Sequence, residues 1–345
     1  MLYQSLVFSV KKDFNNKLLK WFRENRRDLP WRETTDPYKI LVSEVMLQQT
    51  TASAVIGFYE RFIDRFPSFE SLANANEDEV LCMWSGLGYY RRAKMLRHAS
   101  EILKNHVPET RSELMSIRGI GSYTANALLS FSFSQALPTI DTNAIRVFSR
   151  LFMLSGGRSK IERESYNMGT VLISEKSPCE WNQAIMELGS LICKSKKPLC
   201  FKCPVSPFCK AYQAGKVDQY PETSKQKRIK ELTHVCVCYI HDHKVSISKI
   251  ENGKWWEGMY EFPRFELSKS QSVHSFLNSN HFNNAKLFAK VNHTITHHKV
   301  SLYAYWINKR VNKYKYVSYE KLDNYPMPSP QRKLAKELER ILQYR

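Results

Sequence analysis

The residues with the clearest capacity for chemistry are four cysteines within one short stretch, Cys193, Cys200, Cys203 and Cys209. Thiols this close in sequence are typical of a metal site rather than of a disulfide framework. Zinc sites usually combine two separated C-x2-C pairs, whereas this run reads C-x6-C-x2-C-x5-C, a spacing that favours one iron–sulfur cluster. We therefore expect one [4Fe–4S] cluster, with zinc as the alternative.

Two carboxylate residues, Glu44 and Asp141, have sequence neighbours that suit a role in acid–base catalysis. Glu44 lies among apolar residues of a helical segment, and apolar surroundings raise a carboxyl pKa, which suits a proton donor. A structural glutamate, either solvent-facing or buried and hydrogen-bonded, is the alternative. Asp141 precedes TNAIRVFSR, where it is placed to cap a helix. Backbone donors at a helix start favour an ionised aspartate near neutral pH, so capping and catalysis are compatible.

A pair of glycines, Gly119 and Gly121, separates two segments with helical periodicity. Glycines two residues apart permit a tight turn whose backbone N–H groups point outward. At the start of the following helix, those groups can bind a phosphate without a charged side chain. The pattern indicates a helix-hairpin-helix DNA clamp, and an ordinary helix–helix turn is the alternative.

Helical periodicity dominates the first part of the chain, and strands dominate the last. One helix is expected to begin behind Asp13 as its N-cap, and two further helices meet near Thr50 and Thr51. After Cys209 a polar stretch reads as an exposed linker, followed by strands and by a final amphipathic helix. A helical part of about 210 residues therefore precedes an α+β domain of about 115.

Charge and cysteine usage narrow the class of protein. The 345 residues include 52 Lys and Arg against 33 Asp and Glu, a net charge of +19. Such an excess favours a nucleic acid partner through phosphate neutralisation, although a merely basic protein or one that touches anionic lipid has the same property. The other four cysteines show no pairing pattern, which indicates a reducing compartment. With no signal peptide pattern and no apolar stretch of about 20 residues, we expect a cytoplasmic, intracellular protein without membrane attachment.

A series of motifs runs in a specific order from about residue 18 to residue 210. They are LPWR (29–32), DPYKILVSEVMLQQT (36–50), WSGLGYYRRAKML (84–96), IRGIGSYTANALLSFSF (117–133), IDTNAIRVFSR (140–150), WNQAIMELGSLIC (181–193) and the cysteine run. In this order the chain resembles the adenine DNA glycosylases of the MutY type, within the endonuclease III superfamily. WWEGMYEFP (255–263) and the strands around it are similar to the Nudix-like domain of that family.

The resemblance implies a domain layout. A mainly α catalytic region of two lobes, one a six-helix barrel and one holding the iron–sulfur cluster, would precede a C-terminal α+β Nudix-like domain. The implied boundaries are 1–27 with 140–213 for the cluster lobe, 28–139 for the six-helix barrel with its helix-hairpin-helix, 214–230 for a linker, and 231–345 for a Nudix-like domain that recognises 8-oxoguanine.

The resemblance also implies catalytic roles. Glu44 matches the acid that protonates the adenine ring, and Asp141 matches the aspartate that stabilises the sugar cation after the base leaves. Asn143 lies near the same site, and Thr142 stands where the family usually has glycine. Relatives that also cut the strand carry a lysine where this chain has Tyr123, and a tyrosine cannot form a Schiff base. We therefore expect a monofunctional glycosylase, without lyase activity.

Residues that contact the substrate follow from the same matches. Excision requires the adenine to leave the stack, and the family fills the gap with wedging side chains. The implied DNA-binding residues are Gly119, Gly121, Gln48, Gln49, Tyr89, Lys196 and Lys197. The implied adenine pocket is formed by Trp31, Arg32 and Glu187.

Recognition of the base opposite the adenine matches a short loop in the C-terminal domain, Ile295-Thr296-His297. The family usually has Phe-Ser-His there, so isoleucine replaces an aromatic ring. The expected partner is duplex DNA with an A:8-oxoguanine or A:G mispair, bound by a monomer, in the bacterial nucleoid.

Two other functions stay open: a mismatch thymine or uracil glycosylase of the same superfamily, and a non-catalytic iron–sulfur DNA-binding protein. Nudix hydrolase activity is not expected, because the REx2EE magnesium site is absent from this part of the sequence.

Overall fold

The computed structural model describes residues 2–222 and 229–343. The helices of the first part are α1 (Leu2–Asn25), α2 (Pro37–Leu47), α3 (Ala52–Arg65), α4 (Phe69–Asn74), α5 (Glu77–Met83), α6 (Arg91–Leu103), α7 (Arg111–Ser116), α8 (Ser122–Phe133), α9 (Thr142–Phe152), α10 (Arg158–Leu172), α11 (Pro178–Leu191) and α12 (Lys210–Gln213). Short 3-10 helices span Pro30–Arg32, Cys200–Lys202, Ser206–Phe208 and Val217–Gln219. The junction predicted near Thr50 and Thr51 is confirmed between α2 and α3.

The first helix corrects one expectation. α1 runs from Leu2 through Asn25, so Asp13 lies inside the helix and is not its N-cap. Its carboxylate instead lies 3.3 Å from the Lys17 ammonium, one turn further along.

Helix α2 is buried on almost every side, which is why its sequence is apolar nearly all round. It starts where Asp36 caps it by accepting a hydrogen bond from the Tyr38 N–H, with Pro37 in the first turn. Helices α3 and α8 pack against it. A carboxylate on such a helix has protein around it whichever way it points.

One hydrophobic core joins α1, α9, α11 and the cysteine loop, which we define as residues 193–209. Phe148 of α9 and Trp181 of α11 lie at its centre, with ring centroids 6.3 Å apart. The Trp181 indole donates to Asn15 Oδ1 at 2.8 Å, which joins α1 to α11. These are the elements of the predicted cluster lobe, although the boundaries proposed for the two lobes stay a prediction.

The C-terminal part contains strands β1 (Lys230–His241), β2 (Lys244–Lys249), β3 (Tyr260–Glu261), β4 (Arg264–Glu266), β5 (Lys286–Ile295), β6 (His298–Asn308) and β7 (Lys315–Ser318), helices α13 (Val273–Ser279) and α14 (Ser329–Gln343), and a 3-10 helix at Tyr319–Asn324. The sheet order is β3-β2-β1-β6-β5, with β4 on β1 and β7 on β2. Strands β1 and β6 are parallel, and β5 and β6 form an antiparallel hairpin. The strands predicted on either side of WWEGMYEFP (255–263) and the final helix are confirmed, but WWEGMYEFP, itself predicted to be strand-rich, is mostly turn, with only Tyr260 and Glu261 in β3.

The two faces of this sheet belong to different hydrophobic cores. Cys236 and Cys238 point to the core that includes Leu334 and Leu338 of α14. Val235 and Val237, which alternate with them, point to the core that includes Phe276 of α13. Both faces are thus covered along the middle of β1.

The chain divides into two compact units, each described by itself. One joins the residues up to Ala73 with those from His98 to Lys225, and the other joins Asn74–Arg97 with the C-terminal residues from Gln226. The predicted linker lies in part outside the described residues, at 223–228. No helix that the structure describes combines the length and the apolar character needed to cross a membrane.

Candidate active site

Glu44 and Tyr123 form a buried pair between α2 and α8. The Tyr123 hydroxyl donates to Glu44 Oε2 at 2.5 Å, and Glu44 is only 5% exposed. Burial raises the pKa of Glu44 to about 7, an effect that the nearby Asp141 charge reinforces and that Tyr123 and Arg32 oppose. The raised pKa predicted from the apolar sequence is therefore confirmed, and the bulk of the shift comes from desolvation.

Asp141 caps α9, as its position in the sequence predicts. Its carboxylate accepts from the Ala144 N–H at 2.6 Å and from the Asn143 side-chain amide at 3.0 Å. Protein surrounds most of this carboxylate, although solvent still reaches it through the cavity, and burial raises its pKa. The capping donors and Arg146 oppose that rise. Burial sets the direction of the shift, and capping limits its size.

The two carboxylates line a single cavity of about 890 Å³, together with the predicted pocket residues Trp31, Arg32 and Glu187. Gln48, Gln49, Tyr123 and Asn143 line it as well. A volume of this order is enough for a flipped nucleotide. A proton donor with a pKa of about 7 and a second carboxylate thus face the same cavity.

Glu187 lines the cavity with a carboxylate that is fully engaged. Its Oε1 accepts from the Arg27 N–H at 3.0 Å and from Arg27 Nε at 2.8 Å. Its Oε2 accepts from Arg27 Nη2 and from Arg32 Nη2, both at 2.8 Å. Burial alone would raise its pKa, but the hydrogen bonds and charges of the two arginines prevail and lower it to about 2. We call this set of Glu187, Arg27 and Arg32 the arginine clamp.

Two of the three predicted pocket residues, Arg32 and Glu187, bond to each other within the arginine clamp, and the third, Trp31, is packed against a neighbouring ring. Arg32 is occupied with Glu187 and with the Arg27 carbonyl, which it reaches at 2.8 Å. Trp31 is 8% exposed and packs edge-on against Tyr59, with ring centroids 5.4 Å apart. Arg27 was not predicted from the sequence, because nothing in the pair Arg26-Arg27 tells which side chain turns inward.

Helix α9 also holds the cysteine loop through two arginines that the sequence did not identify. Arg146 donates to the Asn143 side-chain oxygen at 2.8 Å and to the Cys193 carbonyl at 2.7 Å. Arg150, which is 3% exposed, donates to Cys193 Sγ at 3.3 Å and to the Lys194 carbonyl at 2.7 Å. Their spacing of four residues places them on one face of the helix.

Helices α9 and α11 approach most closely beside this face. A Cβ built on Gly189 of α11 would lie 2.6 Å from Asn143 Cβ, closer than two such carbons can come. Arg146 donates to the Gly189 carbonyl at 2.7 Å. Only a residue without a side chain fits at position 189.

The four thiols of the cysteine loop lie close enough for the charge of one to affect the ionisation of the others. Burial raises the pKa values of Cys200, Cys203 and Cys209, and charge on Cys193 would raise each of them further. In the part of the chain that the structure describes, no three His, Cys, Asp or Glu side chains are spaced to hold one metal ion.

The predicted DNA-binding residues of the loop and of the glycine hairpin are exposed. Lys196 and Lys197 both face solvent, and Lys197 has a positive φ of 51°. Gly119 has a φ of 101°, and Gly121 is the N-cap of α8 with open space where a Cβ would be. The tight turn predicted between α7 and α8 is confirmed.

Two of the predicted wedging residues, Gln49 and Tyr89, themselves have a positive φ. Gln49 has a φ of 58° and follows Gln48, whose amide lies 3.5 Å from the Thr124 hydroxyl. Tyr89, in the other compact unit, has a φ of 51° and is 51% exposed, with the Arg92 guanidinium 5.2 Å from its ring centre.

The predicted recognition loop is the turn of the β5–β6 hairpin, which we call the recognition hairpin (Ile295–His298). Ile295 pairs with His298 across the hairpin, and Thr296 has a φ of 52°. The His297 and His298 rings lie 4.1 Å apart, and the Thr296 hydroxyl is 3.4 Å from His297 Nδ1. The three predicted residues therefore lie together at one tip.

Known families match both parts of the chain. The HhH-GPD superfamily of base excision DNA repair proteins matches residues 42–169, and the NUDIX domain matches residues 234–337. The fold class predicted from the sequence is thereby confirmed: a helical region like that of endonuclease III precedes a Nudix domain.

Individual proteins are similar along most of the sequence. An adenine DNA glycosylase of Buchnera aphidicola subsp. Schizaphis graminum is 34% identical over 285 residues, 81% of this chain and 82% of the relative. Its counterpart in Buchnera aphidicola subsp. Acyrthosiphon pisum is 32% identical over 299 residues, 84% and 85% of the two chains. A solved thermostable thymine-DNA glycosylase superposes with a TM-score of 0.54 at 28% identity, over 60% of this chain and 98% of that one.

Proposed function

The chain belongs to the adenine DNA glycosylase family, and we propose that it removes adenine from A:8-oxoguanine and A:G mispairs in duplex DNA. One observation carries the proposal: Glu44, with a pKa of about 7, and Asp141 line the same cavity. A proton donor for the base and a carboxylate for the sugar are the two groups that N-glycosidic cleavage needs.

The steps follow from these positions. The adenine leaves the stack and enters the cavity, where the protonated Glu44 donates to a ring nitrogen. The bond between the base and C1′ breaks, the electron pair leaves with the protonated base, and Asp141 stabilises the oxocarbenium-like sugar. Water then adds to C1′ and gives up a proton, which the Glu44 carboxylate accepts. The product is an abasic site in an intact strand.

The strand stays intact because no amine is available at the position that would attack the sugar. Tyr123 stands there, and its hydroxyl is engaged with Glu44. A phenol cannot form the Schiff base from which β-elimination proceeds. We therefore propose glycosylase activity without lyase activity.

Cys193, Cys200, Cys203 and Cys209 are proposed to hold one [4Fe–4S] cluster. Four neighbouring thiols, together with the Arg150 guanidinium that donates to Cys193 Sγ, suit an anionic thiolate-ligated group. When bound, the cluster supplies structural stability, since it ties both ends of a loop that carries Lys196 and Lys197. Iron and sulfide analysis of anaerobically prepared protein tests the assignment, and stoichiometric zinc would refute it.

Duplex DNA is proposed to be held from several elements. The backbone at Gly119 and Gly121 and the ammonium groups of Lys196 and Lys197 contact phosphates. Gln48, Gln49 and Tyr89 fill the gap that the flipped base leaves. The recognition hairpin contacts the 8-oxoguanine.

A panel of duplexes tests the reaction, with A, T or U opposite guanine or 8-oxoguanine. Product should form with A alone, and the strand should break only after alkali. Release of thymine or uracil would favour a mismatch glycosylase, to which the resemblance to a thymine-DNA glycosylase gives a basis. A nick without alkali would overturn the monofunctional assignment, and tight binding without any excision would indicate a non-catalytic role.

A further inference from the structure

We propose that the turn at Trp255 and Trp256 positions the recognition hairpin and thereby determines how strongly this chain prefers 8-oxoguanine to guanine. The inference rests on the proposed function, because it assigns the residues that support the same partner-base contact. Neither tryptophan lines the catalytic cavity.

A continuous series of ring contacts leads from the turn to the tip of the hairpin. The Trp255 and His298 ring centroids lie 5.1 Å apart, and the His298 and His297 centroids lie 4.1 Å apart. Aromatic contacts at such distances fix the relative orientation of the rings. The position of His297 thus depends on His298, and that of His298 depends on Trp255.

Trp256 supports the neighbouring part of β5. Its ring lies 5.8 Å from the ring of His293, which stands two residues before Ile295. Neither nitrogen of the His293 ring has a hydrogen-bond partner among the described residues. Packing against Trp256 therefore contributes more to the placement of this ring than any polar contact.

The turn itself holds a conformation that its neighbours must stabilise. Trp256 has a φ of 64°, which is costly for a bulky side chain and persists only where surrounding contacts impose it. The Arg264 guanidinium lies 5.8 Å from the Trp256 ring centre and donates to Glu261 at 2.7 Å. The Trp256 carbonyl accepts from the Met259 N–H at 3.0 Å.

The support reaches the interior of the sheet. Arg264 Nη1 lies 3.1 Å from Nδ1 of His234, which is 1% exposed on β1, and Trp255 packs on the His234 ring at 6.4 Å. The two tryptophans thus connect the hairpin tip to a rigid strand. This matters more in a chain with Ile295, because isoleucine has no aromatic face to stack on a base.

Trp255→Leu tests the proposal, with Trp255→Phe as the conservative variant. Trp306→Leu is the matched control, because Trp306 is a buried tryptophan of the same domain, eight residues along β6 from His298. Two preferences are measured for each protein. One is the ratio of excision rates for A opposite 8-oxoguanine and A opposite guanine. The other is the ratio of binding constants for duplexes that pair 8-oxoguanine or guanine with a tetrahydrofuran abasic analogue.

Trp255→Leu is expected to lower both ratios by about 3- to 10-fold, the effect of one aromatic contact, while Trp255→Phe and Trp306→Leu retain them. Unchanged ratios in Trp255→Leu, or an equal loss in Trp306→Leu, would overturn the proposal. If Trp255→Leu does not fold, His298→Ala replaces it with the same expectation.

The ratio of binding constants tests the positioning role of Trp255 independently of the proposed excision activity. A wild-type protein that prefers 8-oxoguanine in binding, loses that preference in Trp255→Leu and excises nothing would support the positioning role and refute the proposed function. Excision of adenine by wild type without any preference between the two partner bases would refute the positioning role alone.

Discussion

The catalytic cavity and the recognition hairpin are built by different means. In the cavity, Glu44, Asp141 and Glu187 each accept hydrogen bonds of 2.5–3.0 Å from identified donors. At the hairpin and in the adjoining part of β5, ring contacts hold His293, His297 and His298, and the Thr296 hydroxyl makes long contacts of 3.4 Å to His297 and 3.5 Å to His298. Hydrogen bonds thus fix the positions of individual carboxylate oxygens in the cavity, whereas ring packing fixes the orientation of whole side chains at the hairpin.

The difference corresponds to the role proposed for each region. Proton transfer requires a donor within hydrogen-bond distance of one particular nitrogen, so small displacements are costly. Recognition of a partner base depends on contact over a face, which tolerates sliding of a ring. We therefore expect changes in the cavity to alter the rate for every substrate, and changes at the hairpin to alter the selectivity.

The largest effect is expected at Glu44. Glu44→Gln keeps the size of the side chain but removes the transferable proton, so the single-turnover excision rate should fall about 10²- to 10⁴-fold. The loss should be equal for A:8-oxoguanine and A:G duplexes. Glu162→Gln, which alters an exposed glutamate of the same cavity, is the control and should retain the rate.

The second-largest loss of excision rate is expected for Asp141→Asn. Asparagine still caps α9, so the fold and the binding of duplex should be retained, but the negative charge opposite the sugar cation is lost. The excision rate should fall about 10²- to 10³-fold. Asp36→Asn makes the same change at the cap of α2 and should leave the rate unaltered, whereas wild-type turnover in Asp141→Asn would remove this residue from the mechanism.

The arginine clamp should contribute to stability in a pH-dependent way. The folded-state pKa of Glu187, about 2, lies below the ordinary value, so the contribution is present above that ordinary value and is lost as pH falls from about 4 to 2. Glu187→Gln should lower the free energy of unfolding by roughly 3 kcal/mol at pH 7, and this difference from wild type should narrow to about half or less at pH 3.

Chemical denaturation at pH 7 and pH 3 measures both quantities. Glu180→Gln is the control on the same helix, because the ion pair of Glu180 with Arg23 is exposed and should be worth about 1 kcal/mol or less. An equal loss in the two variants would show that burial of Glu187 has no special effect.

A smaller effect is expected at Tyr123. Its hydroxyl lowers the pKa of Glu44, so Tyr123→Phe should raise that pKa further. In the proposed reaction Glu44 acts in its protonated form, so the excision rate should fall as pH rises through the pKa, and in the variant this fall should move to higher pH by about 1 unit. The pH profile of single turnover shows the shift. Tyr38→Phe removes another buried hydroxyl, at Phe66, and should leave the profile in place.

The smallest effect is expected at the hairpin itself. Ile295→Phe adds an aromatic face and should increase the preference for 8-oxoguanine over guanine by about 3-fold. The rate with A:8-oxoguanine at saturating enzyme should stay the same. A lower rate with both duplexes would contradict the division between a region that sets rate and a region that sets selectivity.

The sequence predicted the parts whose signals are local. The cysteine spacing, the turn at Gly119, the capping position of Asp141 and the apolar neighbours of Glu44 each lie within one segment. The same local reasoning failed at Asp13, where a capping residue was inferred although the helix begins at Leu2. A side chain with capping propensity does not show whether the residues before it are helical as well.

Features that depend on distant segments were missed. Arg27 meets Glu187 across 160 positions, and Arg150 meets the cysteine loop across 43. The turn at Trp255 reads as part of a strand-rich stretch, and its contacts with His298 arise only once the sheet has formed. Long-range polar pairs leave no periodic trace in a sequence, so a single chain gives no means to infer them.

The close approach at Gly189 restricts how this protein can diverge. Alanine there would add one methyl group and force α9 away from α11, which would shift Asn143 and with it the hydrogen bond to Asp141. Under the proposed function, a displaced Asn143 would no longer orient Asp141, and excision of mispaired adenine would be impaired. Position 189 is therefore expected to stay glycine wherever the excision of mispaired adenine is under selection, although Gly189 itself does not line the cavity.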